Sequence, residues 1–386
     1  MTNLGVSLLN FKPDYLGGIN SFSLGLLKPL EKKCRLHIYT NAKSYNFLKK
    51  KFPNSKITIF SKNIIIYLIL QIISTIIKSE KLFRYNENLY FKYLKKKINK
   101  ECDIFYCPLS YLKPIGLKIP TVTSIHDLQH FHLPQNFNYI QLKYRELMYR
   151  ITLQDSTIIQ ASTKFIQNDI KKIYPHINKK KIIVINEGIS NDFTFKKFNF
   201  NNDFIFFPAQ LWPHKNHMVV MKSLKKILNK SKLNLKLVMV GGKFSAFNEI
   251  QNFIKSNEDL NIKYLGKVSF RKLRLLYKDC KYLISPAIYE SSSIPILEAC
   301  KIGRPIIASD SKSNIEMSKS IKLNLFKTSD PNDLANLISR IWKNKKLIKN
   351  QIKYNKSAIK NFTWEKISED YFKLFNKLLK KKKNLL

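Results

Sequence analysis

The stretch that decides the fold is residues 282–308, YLISPAIYESSSIPILEACKIGRPIIA. It opens on a short apolar run, 282–285, and closes on another, 305–308. Such runs, bounded by turn residues, read as strands buried on both faces of a parallel sheet. Between them Pro295 suits a first helical turn, where its missing N–H is no loss. Glu290 then lies in the loop before the helix, and Glu298 about one turn into it. The backbone N–H groups of Ser293 and Ile294 stand free at the helix start, a place for phosphate between two carboxylates that can bind hydroxyls. A plainer reading stays open: Glu298 only complements the helix dipole, worth about 0.3–1 kcal/mol, and Glu290 is ordinary surface.

Outward from this unit the same alternation repeats. Apolar runs at 4–9, 36–39, 57–60, 104–106, 121–125, 157–160 and 182–185 fill the first half, and 204–207, 235–240 and 262–265 join the two above in the second. Helical stretches such as 137–153, 217–229, 269–278 and 333–343 lie between them. Strand–helix alternation predicts α/β architecture with parallel sheets covered on both faces. A chain of 386 residues exceeds one ordinary core. Residues 190–203, SNDFTFKKFNFNND, have no period and read as a linker. The expected division is 1–197, 198–362 and a C-terminal helix with basic tail, 363–386, packing back toward the first domain. Ligands are expected at the carboxyl ends of the strands, in a cleft between two Rossmann-like domains.

Charge narrows the partners. There are 69 Lys plus Arg against 26 Asp plus Glu, a net +43 that attracts anions, whether nucleic acid, anionic lipid or phosphorylated ligand. Abundant Asn and Ile beside the Lys also fit an AT-rich coding bias. The lysines are spread along helices and no nucleic-acid module is evident, so nucleic acid is not expected as a partner. Five cysteines with no Cys-x-x-Cys fit a reducing cytoplasm better than disulfides or structural zinc. The start, MTNLGVSLLNF, does not read as a signal peptide. The most apolar segment, 64–77, IIIYLILQIISTII, is too short to span a bilayer. It shows no polar stripe on either face, so it reads as a buried helix or a membrane-surface element with Lys62, Lys78 and Lys81 at its flanks.

Three further motifs follow strands. Gly17 and Gly18, in LGGIN, allow backbone to approach an anion, though a Gly-Gly turn is as readily structural. His126 and Asp127 leave the strand at 121–125: the His can donate to a substrate hydroxyl with the carboxylate orienting its ring, or Asp127 simply caps a helix start. In FPAQLWPHKNH, residues 207–217, Lys215 stands at a helix N-terminus, where only a bound anion makes a cation favourable; it is equally a surface lysine in a lysine-rich chain. His126, His130 and His132 lack zinc spacing.

Together these motifs resemble the retaining glycosyltransferases of family GT4, with a GT-B fold, over nearly the whole chain. The most specific element is the E-x7-E pair Glu290 and Glu298; IHDLQHFHLPQNF and FPAQLWPHKNH are similar to the mannosyltransferase-B-like branch, and ASTKFIQNDI and VINEGI to signatures at the end of its first domain. The resemblance implies that Gly17 and Gly18 lie over the donor diphosphate, that His126 contacts the donor sugar near the reacting carbon, and that Lys215 binds the diphosphate. It implies Glu290 on sugar hydroxyls, Glu298 on the ribose, and the backbone of Ser293 and Ile294 on phosphate. Two departures stand out. Gln210 replaces the usual Arg, leaving Lys215, with Lys243 as a guess, to carry more of the charge. Ser291, Ser292 and Ser293 replace a glycine-rich turn, at roughly 1 kcal/mol wherever positive φ is needed.

The implied activity is hexose transfer, mannose first, from a nucleotide diphosphate sugar to a glycan acceptor, lipid-linked, in bacterial surface polysaccharide synthesis, at an anionic membrane on the cytoplasmic face of the inner membrane. No cofactor or metal is expected, since the sequence has no Asp-x-Asp. A silent partner subunit, an epimerase and a phosphorylase are the alternatives.

Overall fold

The computed structural model describes residues 1–13, 18–62, 64–201 and 203–383. Its first sheet has seven strands: β1 (Asn3–Leu8), β2 (Arg35–Thr40), β3 (Lys56–Ile59), β4 (Ile104–Cys107), β5 (Thr121–Ile125), β6 (Ile158–Ala161) and β7 (Ile182–Val184), in the order β3-β2-β1-β4-β5-β6-β7. Its second has six: β8 (Phe204–Pro208), β9 (Lys236–Val240), β10 (Ile262–Tyr264), β11 (Tyr282–Ser285), β12 (Ile306–Ser309) and β13 (Asn324–Phe326), in the order β10-β9-β8-β11-β12-β13. Every pairing is parallel. The two sheets of the expected α/β, GT-B architecture are therefore present, with twelve strands where the apolar runs put them. β13 was not anticipated: Asn-Leu-Phe is too short to show a pattern.

Central strands are dry on both faces, which is why they read as continuous apolar runs. All five residues of β5 and all four of β4, β11 and β12 are buried. Strand order reverses once in each sheet, beside β1 and β4 in the first and beside β8 and β11 in the second. Those reversals are where loops diverge above the strand ends and leave room for a ligand.

The chain divides into two compact units, residues 1–188 with 364–386, and residues 189–363. Each is described by itself. The stretch 190–203 behaves as part of the second unit and not as a linker. Phe193 is buried in that unit's core, Phe195 closes on Gly303, and Lys196 pairs with Asp279 at 2.9 Å. Its aromatic residues, read as aperiodic, are what fasten it. Gly303 (φ +82) ends the helix Ile294–Ile302 in the left-handed region, where a Cβ would also strike the Phe195 ring.

The C-terminal helix, Trp364–Lys383, packs on the helix Gly18–Leu30 within the first unit. Trp364 is the anchor. A Cβ at Gly25 would come within 2.2 Å of its indole nitrogen, and one at Gly188 within 2.7 Å of its ring. The five cysteines are free and buried.

The apolar segment forms the helix Ile65–Ile76, and it does carry a polar stripe, contrary to the sequence reading. The stripe faces inward. Tyr67, Gln71, Ser74 and Thr75 are buried while the aliphatic residues face out. The physical reason lies on the neighbouring helix, Glu80–Tyr90, where the fully buried Glu87 supplies a partner for polar groups from below.

Candidate active site

In the second unit the loop after β8 and the loop after β11 leave adjacent strands at the reversal. Backbone and side chains stitch them together. Ile288 donates its N–H to His214 O at 2.8 Å, and Asn216 donates from Nδ2 to Pro286 O at 3.2 Å. Between these bonds the Lys215 ammonium is bound to Glu290 Oε1. Asn216 adopts left-handed backbone (φ 61) to join the 3-10 turn Pro213–Lys215 to the helix His217–Ser231, a conformation Asn tolerates. Lys215 and Glu290 are thus brought together as each other's partner. The pair is only half closed. Side-chain exposure is 23% for Lys215 and 11% for Glu290, and Glu290 Oε2 is buried without a hydrogen-bond partner.

Two helices begin here. His217–Ser231 starts just after Lys215, and Ile294–Ile302 starts at Ser293, with Pro295 in its first turn. Ser293 is buried and shares a hydrogen bond at 3.0 Å with Ser285 at the end of β11. Its hydroxyl is therefore occupied within the fold, while the backbone N–H groups of Ser293 and Ile294 have no intrachain acceptor among the described residues. None of Ser291, Ser292 and Ser293 has positive φ, so the strain expected from replacing glycine does not arise.

Glu298 sits on the helix Ile294–Ile302 and accepts a hydrogen bond at Oε2 from Tyr277, a buried residue of the helix Phe270–Asp279. Burial pushes its carboxyl up to about 7, and the Tyr277 bond pulls the other way. Gln210 accepts from Trp212 Nε1 at 3.1 Å, and Trp212 stacks on Phe244 at 4.1 Å. Lys243 lies over the Phe247 ring at 4.5 Å. His217 is neutral at ordinary pH: burial and Lys215 hold it down to about 3.

The first unit has its own reversal. His126 follows β5, is 5% exposed, and gives its Nε2 hydrogen to Pro108 O, just past β4, at 2.7 Å. Its Nδ1 stands 3.6 Å from Glu187 Oε1, and Phe22 meets the ring edge-on at 4.6 Å. Of the two readings of Asp127, the structure favours the helix start: its carboxylate accepts from Gln129 N at 3.1 Å and pairs with Arg145 at 3.1 Å, and it does not orient the His126 ring. Glu187, which follows β7, is the carboxylate beside the ring instead. Gly17 lies outside the described residues; Gly18 opens the helix Gly18–Leu30, near Asn20, whose Nδ2 bonds Lys12 O at 2.8 Å. Sequence reasoning missed Glu187, Tyr277, Phe22 and Trp364. Only Glu187 carried a signal, as the acid within VINEGI. Among the described residues, no group of three His, Cys, Asp or Glu side chains could hold a metal ion.

Residues 190–358 match the family described as Glycosyl transferases group 1. The O-antigen chain mannosyltransferase RfbU of Salmonella typhimurium is 28% identical over 208 residues, 53% of this chain and 55% of that one. O-antigen chain mannosyltransferase B of Escherichia coli is 22% identical over 250 residues, 62% of this chain and 64% of that one. The matched regions thus span 55% and 64% of these relatives' lengths. The crystal structure of Anabaena Alr3699/HepE with UDP and glucose superposes at a TM-score of 0.73, with 14% identity, over 98% of this chain and 100% of that one. At that identity the superposition speaks for the fold. The chain therefore has the GT-B fold, and within it residues 190–358 are similar to the group 1 glycosyl transferases.

Proposed function

We propose that the protein is a retaining glycosyltransferase that moves a hexose, mannose first, from a nucleotide diphosphate sugar to a glycan acceptor of bacterial surface polysaccharide, lipid-linked and met at the cytoplasmic face of the inner membrane. The observation that carries this is the half-closed Lys215–Glu290 pair beside the free N–H groups of Ser293 and Ile294. A cation, a helix N-terminus and a carboxylate with an unpartnered oxygen suit a diphosphate joined to a polyol. The RfbU and mannosyltransferase B relatives support mannose and the polysaccharide setting.

In this reading Lys215 and the helix start hold the diphosphate, and Glu290 accepts from sugar hydroxyls through Oε2. Glu298 accepts from the ribose with its ring-side oxygen fixed by Tyr277. The acceptor oxygen bonds the anomeric carbon as the bond from that carbon to phosphate breaks, and the departing phosphate oxygen takes the acceptor's proton on the same face. Charge developing on the diphosphate meets dipoles and an ammonium already in place, so the chemistry runs without metal. His126, expected to contact the donor sugar, is held within the first unit by Pro108 O, Glu187 and Phe22.

A silent partner subunit is the second reading, favoured by Gln210: its side-chain oxygen holds Trp212 and offers no positive charge. A thermal-shift panel of UDP-, GDP- and dTDP-sugars, followed by turnover with a lipid-linked acceptor, decides. Free nucleoside diphosphate with a new glycoside is the expected product. Sugar phosphate means a phosphorylase, and binding without turnover means the silent subunit. Absence of any nucleotide-sugar binding overturns both.

A further inference from the structure

The helix Ile65–Ile76 is built the wrong way round for a protein in water. At about 100° per residue, Ile65, Ile69, Ile72 and Ile76 fall on one line, and Tyr67, Gln71, Ser74 and Thr75 fall opposite. The first set is exposed, Ile65 by 63%, and the second is buried. Ile66, Leu68, Ile73 and Ile77 widen the exposed face to most of the helix surface. Contiguous apolar surface of this extent marks a contact site.

The inward face is fixed by a buried polar cluster. Glu87 Oε1 accepts from Tyr67 OH and, at 2.6 Å, from Gln71 Nε2. Lys113 Nζ donates to Tyr67 OH at 2.7 Å and stands 3.6 Å from Glu87. Asn86 Nδ2 binds Tyr67 O at 2.9 Å, and Thr75 Oγ1 returns to Gln71 O at 2.7 Å. Rotating the helix to hide its isoleucines would break this cluster and strand Glu87 in the interior. The aliphatic face is therefore held outward by the fold itself.

What covers it is read from charge. Residues 32–79 contain ten Lys or Arg and no Asp or Glu. Lys62, Lys78 and Lys81 are exposed at the two ends of the helix. Tyr85 and Leu89 on the next helix, and Tyr93 beyond it, are exposed as well. A second copy of the chain would bring identical lysine rims and two charges of +43 together. An anionic lipid surface complements both parts, taking isoleucine below the headgroups and lysine and tyrosine among them. The helix is about 18 Å long, and among the described residues no helix is long and apolar enough to cross a membrane.

We propose that the helix Ile65–Ile76 is a docking element that lies flat in an anionic lipid bilayer, its aliphatic face down and its polar face locked to Glu87. This rests on the reading of an acceptor at a membrane surface, and names the part of the chain that meets it.

The test is flotation of the full chain with vesicles of phosphatidylcholine alone or mixed with phosphatidylglycerol. A variant carrying Ile65→Gln, Ile69→Gln, Ile72→Gln and Ile76→Gln is compared with the parent, with circular dichroism to show that both are folded. The parent is expected to float with the mixed vesicles, less so in high salt, and the variant to partition at least about 100-fold more weakly. Equal flotation of both overturns the proposal. So does no flotation of the parent, or a parent dimer that the substitutions dissociate. Should the four changes unfold the chain, the pair Ile69→Gln and Ile72→Gln is used, with about a 10-fold weakening expected. Thermal shift with nucleotide sugars is run on the same samples. A parent that binds nucleotide sugar but does not float sinks the docking helix alone, and a parent that floats but binds no nucleotide sugar sinks the functional reading alone.

Discussion

Two lysine–glutamate pairs differ in a way that separates scaffold from site. Lys113 and Glu87 are sealed in the first unit, 10% and 0% exposed, with Tyr67 and Gln71 closing around them. Burial alone would lower the Lys113 ammonium, but Glu87 and Tyr67 outweigh it and hold it above the usual lysine range. Lys215 and Glu290 in the second unit are half open, at strand ends, with an oxygen of Glu290 lacking a partner. The same two residue types hold a helix in place in one setting and, in the proposed reading, receive a ligand in the other. Each carboxylate keeps one oxygen without a partner, so what distinguishes the pairs is burial: Glu87 is sealed inside the unit, while Lys215 and Glu290 keep some exposure at the strand ends.

The sharpest way to break this contrast is Glu87→Ala. It leaves Lys113 charged and buried with no counter-charge, and about 3–5 kcal/mol of stability is expected to go. Guanidinium unfolding measures it. The matching change, Lys215→Ala, lies at a partly exposed pair and is expected to cost at most about 1 kcal/mol. Equal losses at both sites would erase the distinction.

A finer test uses Glu298. Its carboxyl is raised to about 7, so below its ordinary range the neutral form is shared by folded and unfolded chains and the stability contributed by burying it is full. That stability is lost as pH rises through about 7, because folding then buries a charge. Ribose binding by the carboxylate runs the other way, so donor affinity is expected to improve over the same interval. Tyr277→Phe removes the hydrogen bond that lowers this value, and the midpoint of the donor-affinity profile is expected to move up from about 7. An unmoved midpoint would detach Glu298 from donor binding.

The comparison also shows where sequence reasoning reached and where it stopped. β5, β11 and β12 were legible because burial on both faces leaves an unbroken apolar run. The helix Ile294–Ile302 was legible through Pro295. Lys215 and Glu290 were each legible as candidates, but not as partners, since 75 residues separate them. Glu187 beside His126 and Tyr277 beside Glu298 are of the same kind: the contacts are made by topology, and no local period records them. The helix Ile65–Ile76 is the instructive failure. Tyr, Gln, Ser and Thr at positions 67, 71, 74 and 75 form a stripe, but Tyr and Thr are as much at home in a core. The stripe becomes polar in effect only once Glu87 is seen beneath it.

The central claim is that the open pair in the second unit holds the diphosphate of a nucleotide sugar. Calorimetric titration of UDP and GDP into the parent, Lys215→Ala and His126→Ala tests it most directly. Loss of a charge-assisted contact worth about 1.5–3 kcal/mol weakens the preferred nucleotide by about 10- to 150-fold in Lys215→Ala. His126→Ala is expected to bind it within about 3-fold of the parent while turning over more slowly. Full affinity in Lys215→Ala, or its loss in His126→Ala alone, would contradict the account.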